Sequence, residues 1–303
     1  MSADIQVNSE LLSDFLSGLL HRQIEASAND WFTQKLAQLK SKPQTKDLYL
    51  TFSAIPRYLG KHALQLSAAD LEQANVLRQG FNPEGWSAAQ AARVLTICSF
   101  HFDNSESYLK ILDQLFNSAE VTELVALYSA LPLLPYPEKL KNRASEGIRT
   151  NMSVVFDAVV LNNPYPADYL DEGPWNQMVL KALFMERPLY QIQGLERRSN
   201  ARLTKMISNY AHERWAAGRS TSPEMWRPIG DQDTIGIYQD LEKLVSLEDT
   251  DQQEAAVLTA QALGTKEAQA FLDHHQPMVD RVSQQGVTWD KLGQRWWASK
   301  NQN

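Results

Sequence analysis

The sequence has one cysteine in 303 residues, and that scarcity removes two kinds of chemistry. A single thiol forms no intrachain disulfide and builds no thiolate metal cluster within one chain. Cys98 lies in RVLTICSF with apolar neighbours on both sides, so it reads as an inert core thiol, free cysteine being among the most buried residue types. Positive charge is also short. With 29 basic against 36 acidic residues the net charge is −7, which repels a nucleic-acid backbone, so no nucleic-acid partner is expected. Long apolar runs are missing too. No window approaches the roughly 18 to 20 apolar residues that cross a bilayer. The greasiest stretch, LVALYSALPLLPYP, is cut by Pro132 and Pro135 and reads as a core helix and its exit. The start, MSADIQVNSELLSDF, has neither a basic region nor a continuous apolar one, so no secretory signal is expected. The expected location is the cytoplasm, including the inner face of the membrane.

Catalytic signatures are equally sparse. There is no G-x-S-x-G elbow, no Walker loop and no G-x-G-x-x-G. His212 and Glu213 in HERW resemble part of a metal-binding helix, but no second histidine follows at the fourth position, as a zinc-protease helix requires. His274 and His275 are adjacent, about 100° apart on a helix, and are poorly placed to share one ion. No metal and no cofactor is expected. The acidic groups DEG, DQD and EDTD fall in expected loops and do not reproduce the aspartate-rich helical motif of class I terpene synthases.

What the chain does have is helical periodicity along nearly its whole length, with no sustained period-two alternation. The expected fold is all-α, as stacked antiparallel helix pairs: a HEAT-like solenoid or a compact multi-helix bundle. Ser67, Ser87, Asn104, Ser118, Asn200 and Thr288 stand where helices should start, each offering an oxygen to first-turn amides. Gly80, Gly218 and Gly286 stand where helices should stop. SAAQAARVLTICSF and DQQEAAVLTAQALG both place small alanines ahead of a Leu-Thr pair; a repeat and a chance likeness of two alanine-rich helices are both open. Interruptions are expected at YPEK (136–139), at NNPYPADYLDEGP (162–174), where proline forces Asn163 and Tyr165 out of a preceding helix, and around WRPIGDQDT. None is long or Ser/Gly-rich enough to be a flexible linker. A single domain over 1–303 is therefore expected, made of N-terminal helices (1–135), a central segment (136–230) and a C-terminal helical cap (231–303).

Arg143 to Trp226 is the stretch to search for a site, because its polar residues sit inside apolar helical pattern. In ARLTKMISNYAHERWAAG, Leu203, Met206, Ile207 and Tyr210 form one stripe at 100° per residue, and Arg214 falls near its centre. A guanidinium there needs an anion, from the chain or from a ligand. Read as one helix, NRASEGIRTNMSVVFDAVV buries Ile148, Met152, Val155, Phe156 and Val159, with Arg149 and Asn151 at opposite seams, as interhelical bonding groups or pocket groups. PWNQMVLKALFME is apolar nearly all round and should be central. Its Asn176 must be hydrogen-bonded, and its Lys181 either snorkels or meets a ligand. Arg197 and Arg198, just before a helix start, are either solvated or part of an anion site.

The wording of this stretch resembles the EboA family: RASEGIRTNMSVVFDAVVLNNPYPADYLDEGPWNQMVLKALF, then PLYQIQGLERRSN, MISNYAHERWAAGR and SPEMWRPIG. The resemblance covers roughly residues 120 to 230, and the flanks in character only. It implies a metabolite-traffic role beside operon products such as a UbiA-like membrane prenyltransferase, and it brings no catalytic residues with it. The family-like positions include Arg143, Arg149, Asn151, Asn162, Trp175, Asn176, Lys181, Arg197, Arg198, His212, Arg214 and Trp215. The leading expectation is a non-enzymatic protein binding a small anionic or aromatic metabolite, or a pathway partner. Arg214 would be the deep anchor, Arg149 and Lys181 added charge, Asn151 and Asn176 orienting groups, and Trp175 and Trp215 flat walls. Two alternatives stand beside it. One is an enzyme on a phosphorylated or carboxylated substrate with His212 or Glu213 as acid or base. The other is a scaffold in which Arg214 pairs with an internal carboxylate such as Glu146, Glu172 or Glu213.

Overall fold

A computed structural model of the chain describes residues 7–100, 104–230 and 236–301. Among them are seventeen α-helices, four short 3-10 turns and no strand; Ala63 and Ser87 form an isolated antiparallel bridge. The caps follow local chemistry. Ser67, Ser87, Asn104, Asn200 and Thr288 each accept a first-turn amide through the side chain. Ser118 does not start a helix: it ends Ser105–Ser118, and its hydroxyl donates back to the Gln114 carbonyl. The next helix, Val121–Ala130, starts instead from Glu120 through a reciprocal capping box with Glu123. The interruption expected around WRPIGDQDT falls partly outside the described residues, since 231–235 are not among them.

The chain divides into two compact units, Met1–Leu170 and Asp171–Asn303, so the boundary falls inside the 136–230 segment. In the first unit the hub is Ala88–Cys98, which packs against Ser9–His21, Thr45–Leu59 and Val121–Ala130. Four alanines in this helix let backbones approach closely, and of its eleven residues only Gln90 is not buried. The hub carries one charge inward. Arg93 donates to the Phe52 carbonyl at 3.1 Å, to Thr122 Oγ1 at 3.1 Å and to Glu123 Oε1 at 3.3 Å, with its guanidinium 5.3 Å from the centre of the Phe52 ring. Glu123 also accepts from the Ser53 hydroxyl and the Glu120 amide. A buried pair with its hydrogen bonds this fully made is tolerated where a half-made one is not. Arg78 and Asp168 form a second buried pair at 2.5 Å, both side chains under a tenth exposed.

The stretch expected as one helix across 142–160 is two, Lys141–Arg149 and Ser153–Val160. Thr150 turns extended, and its hydroxyl accepts the Met152 amide at 3.2 Å, a local bond that competes with helix continuation. Met152 therefore leaves the buried stripe and is 40% exposed, while Ile148, Val155, Phe156 and Val159 stay in the core. Gly147 is fixed by contact: a Cβ there would stand 2.7 Å from both Tyr128 and Val159. At 162–164 the chain turns through Asn162, whose φ of 53° is left-handed, a conformation asparagine tolerates better than most residues.

The hub of the second unit is Thr250–Leu263, packed against Ile237–Val245, Lys266–His274, Gln276–Gln285, Trp289–Lys300 and the 3-10 turn Pro223–Trp226. Thr259 donates to the Ala255 carbonyl at 2.8 Å just as Thr96 in the first hub donates to Ala92 at 2.7 Å. Each alanine-rich helix is the hub of its own unit. Glu172–Phe184 and Ala201–Ala216 belong to this second unit. Asn176 and Asn200 meet near their starts, and Glu186 and Arg214 near their ends, so the two helices run in the same direction. Residues 187–199 carry the chain back.

Candidate functional site

Between Glu172–Phe184 and Ala201–Ala216 lies an open groove of about 780 Å³. Its position follows from how each helix buries its face. Leu203, Thr204, Ile207 and Ala211 are the buried residues of the second helix, while Met206, Tyr210 and Arg214 are half-buried. The stripe is thus centred on the small side chains Thr204 and Ala211, where a close approach is possible, and the long residues fall to its edge. Arg214 continues the stripe at that edge and not at its centre. The first helix is not apolar-buried all round either: Leu180 is half-buried and Phe184 is 77% exposed. With Gln177 and Lys181 they make one outward face at helical spacing, and that face is a wall of the groove.

The groove combines this apolar wall with Lys181, Arg214 and Arg219 against one carboxylate, Glu213. Loss of hydration lowers the pKa of the Lys181 ammonium. Arg214 is held at the end of its helix: Nε and Nη2 both donate to the Ser220 carbonyl, at 3.1 and 2.8 Å. Its nearest carboxylate is Glu186, at 3.9 Å, and not Glu146, Glu172 or Glu213. Glu146 lies in the first unit and pairs with Arg143 at 2.8 Å. Nη1 of Arg214 donates to no acceptor among the described residues. Ser220 lies beyond the end of Ala201–Ala216, so Arg214 ties its helix to the segment that follows it.

The other expected site residues are placed elsewhere. Trp175 is fully buried, with the Arg198 guanidinium 5.0 Å from its ring centre, and so is no groove wall. Asn176 exchanges amide bonds with Asn200 at 3.0 and 2.9 Å, and Asn200 in turn accepts the Leu203 amide. Asn176 thus ties its helix to the start of the second, and beside Arg197 and Arg198 the Asn200 side chain takes one first-turn amide; Arg197 is exposed. Trp215 stacks on Trp226 at 6.0 Å with Lys243 4.3 Å above it, away from the groove. Exposed His212 binds buried Asp240 at 2.5 Å, and Asp240 also accepts from the Ser208 hydroxyl at 2.6 Å. The serine is tied to the carboxylate and not to the imidazole, so the trio does not have the contact that activates a serine nucleophile.

Arg149, Asn151 and Asn162 lie in the first unit. Arg149 and Asn151 are exposed, and Asn162 makes the left-handed turn. The hydrogen-bonding asparagine of that turn is Asn163, whose Nδ2 donates to the Tyr128 and Ala158 carbonyls and whose Oδ1 accepts the Tyr165 amide. Sequence reasoning missed Phe184 as an exposed group, because in a uniformly apolar helix nothing marks the uncovered edge. It missed Arg219 and Glu186 because they lie beyond helix ends, where periodicity says nothing of direction, and Lys300 because it sits on a helix remote in sequence, Trp289–Lys300. Among the described residues no three His, Cys, Asp or Glu side chains are grouped to hold a metal ion, and no helix is long and apolar enough to cross a membrane.

The family model for metabolite traffic protein EboA matches residues 12–230, so the match includes most of the first unit and is not confined to the central wording. No curated protein and no solved structure matches the chain at a significant level. With well over half its length matched, the chain belongs to the EboA family.

Proposed function

From membership of the EboA family we propose that this chain carries a small anionic metabolite with an apolar or aromatic body, held in the groove between Glu172–Phe184 and Ala201–Ala216. One observation carries the reading. Three cations and one carboxylate edge a concavity whose wall includes the 77% exposed ring of Phe184. Cations alone suit any solvated helix end, and one exposed ring alone suits any surface. Together, around about 780 Å³, they match a ligand with a charged head and a flat or greasy body, in the size range of small-molecule sites. The role is binding and delivery, with a pathway partner, such as a membrane prenyltransferase, receiving the ligand.

Arg214→Met tests this. The substitution keeps most of the stem and removes the charge and the two bonds to Ser220, at a stability cost of about 1 to 2 kcal/mol for half-exposed charged hydrogen bonds. A panel of aromatic carboxylates and alkyl phosphates is expected to raise the unfolding midpoint of the natural protein, by the equivalent of about 2.7 kcal/mol at a hundredfold excess over Kd. That rise should be absent in Arg214→Met. No stabilisation by any panel member, or equal stabilisation of both proteins, would reject the groove as the site.

A further inference from the structure

Glu186 stands where a helix normally places glycine. It follows the end of Glu172–Phe184, its φ is 55°, and the amides of Glu186 and Arg187 close the turn on Leu183 and Ala182. Glycine is the usual residue at such a left-handed stop because it has no Cβ to strain. The glutamate there places a carboxylate at the end of the helix. That carboxylate bridges two cations from different helices: Oε1 is 3.9 Å from Arg214 Nη2, and Oε2 binds Lys300 Nζ. The gap beside it has room for about 30 Å³, roughly one water. Tyr210, Trp296 and Ser222 join its walls, and Ser222 Oγ is sealed from solvent with no hydrogen-bond partner among the described residues. The gap shares Tyr210 and Arg214 with the larger groove. Lys300 and Trp296 come from Trp289–Lys300, beyond the stretch that the family model matches.

We propose that this gap is the head-group subsite of the groove, built for a carboxylate or phosphate, and that Glu186 occupies it as an internal substitute until a ligand's own anion displaces it. The proposal rests on the groove reading above and adds to it where the head sits, which second cation receives it and what competes for the place. The ligand is an amphiphilic anion, its head between Arg214 and Lys300 and its body along Leu180 and Phe184. Because both Glu186 contacts are half exposed, each is a weak competitor, and displacement lowers apparent affinity by a modest factor.

The test titrates the full-length protein with octanoate and with octyl phosphate, using inorganic phosphate as the head alone, and reads binding by calorimetry. Glu186→Gln and Glu186→Gly are each expected to bind the two amphiphiles about three- to tenfold more tightly than the natural protein. Lys300→Met should bind them more weakly. Glycine suits the left-handed turn better than glutamate, so that variant keeps the fold, and a purely structural role for Glu186 would give no gain in affinity. Equal or weaker binding in both Glu186 variants, with binding by the natural protein intact, would overturn the proposal and leave the groove reading standing. No binding of either amphiphile to any of the proteins would overturn both.

Discussion

Glu224 is fully buried on the turn Pro223–Trp226, with Oε2 accepting the Leu189 amide at 3.1 Å and Oε1 without a partner among the described residues. Gly293 of the C-terminal helix presses on it so closely that a Cβ there would lie 2.2 Å from Oε1. Burial pushes the carboxyl up from its usual 4.5 to about 7, against the opposing pull of Arg227 and of the Leu189 and Tyr190 amides, with Asp290 adding to the rise. The sign follows from proton counting. Below pH 4.5 the group is protonated in both folded and unfolded chains and costs nothing. Between 4.5 and 7 the folded chain holds the proton more tightly, so stability falls as pH rises, and above 7 the full penalty stands. Glu224→Gln, which keeps the shape and an acceptor for Leu189, is therefore expected to stabilise the protein at pH 8 by up to about 3 kcal/mol. The gain should shrink toward zero by pH 4.5. Denaturant unfolding of both proteins across that range measures it, and a gain independent of pH would show that the carboxyl is not the source.

Among the helices, the Arg93 network pins three elements by one side chain, reaching Phe52 on Thr45–Leu59 and Thr122 and Glu123 on Val121–Ala130 from the hub Ala88–Cys98. Arg93→Met fills the stem's volume but leaves the Glu123 carboxylate buried, and it is expected to cost about 3 to 5 kcal/mol. Arg93→Met with Glu123→Leu should recover most of that, because an apolar pair strands no charge. A double-mutant cycle on unfolding free energies reads the coupling, and additive losses would show that the two residues act separately. This network also marks what the sequence left unread. Caps at Ser67, Ser87, Asn104, Asn200 and Thr288 were legible because they are local bonds. The all-α class was legible because the 3.6-residue period runs throughout. Arg93 stood in plain alanine pattern, and its partners lie 29 to 41 residues away, beyond the reach of any wheel. The same limit shaped the candidate site. The wheel brought Lys181 and Arg214 to attention, yet it put Arg214 near the centre of its stripe and Phe184 among the covered residues, because covering depends on the neighbour and not on the helix alone.

For the molecule as a whole, the open question is how many cooperative units the 303 residues form. The lack of any flexible linker favours one, and the family match runs through the 170/171 boundary without a break. Against this, each unit has its own alanine-rich hub with helices packed around it. The first also holds the Arg78–Asp168 and Arg93–Glu123 pairs entirely within itself. A unit of 170 residues is large enough to bury roughly two thirds of its unfolded surface. The Arg78–Asp168 and Arg93–Glu123 contacts both lie before the cut, so cutting after Leu170 leaves each of them in place. The fragment 1–170 is therefore expected to be helical by far-ultraviolet circular dichroism and to unfold in one cooperative denaturant transition, with an m-value in proportion to its size. It should not bind the amphiphilic anions, since Lys181, Arg214 and Arg219 all lie beyond the cut. An unfolded fragment would return the chain to the single domain implied by its missing linker. A folded fragment that bound those anions would place the site in the first unit, among residues such as Arg149 and Asn151, and away from the groove.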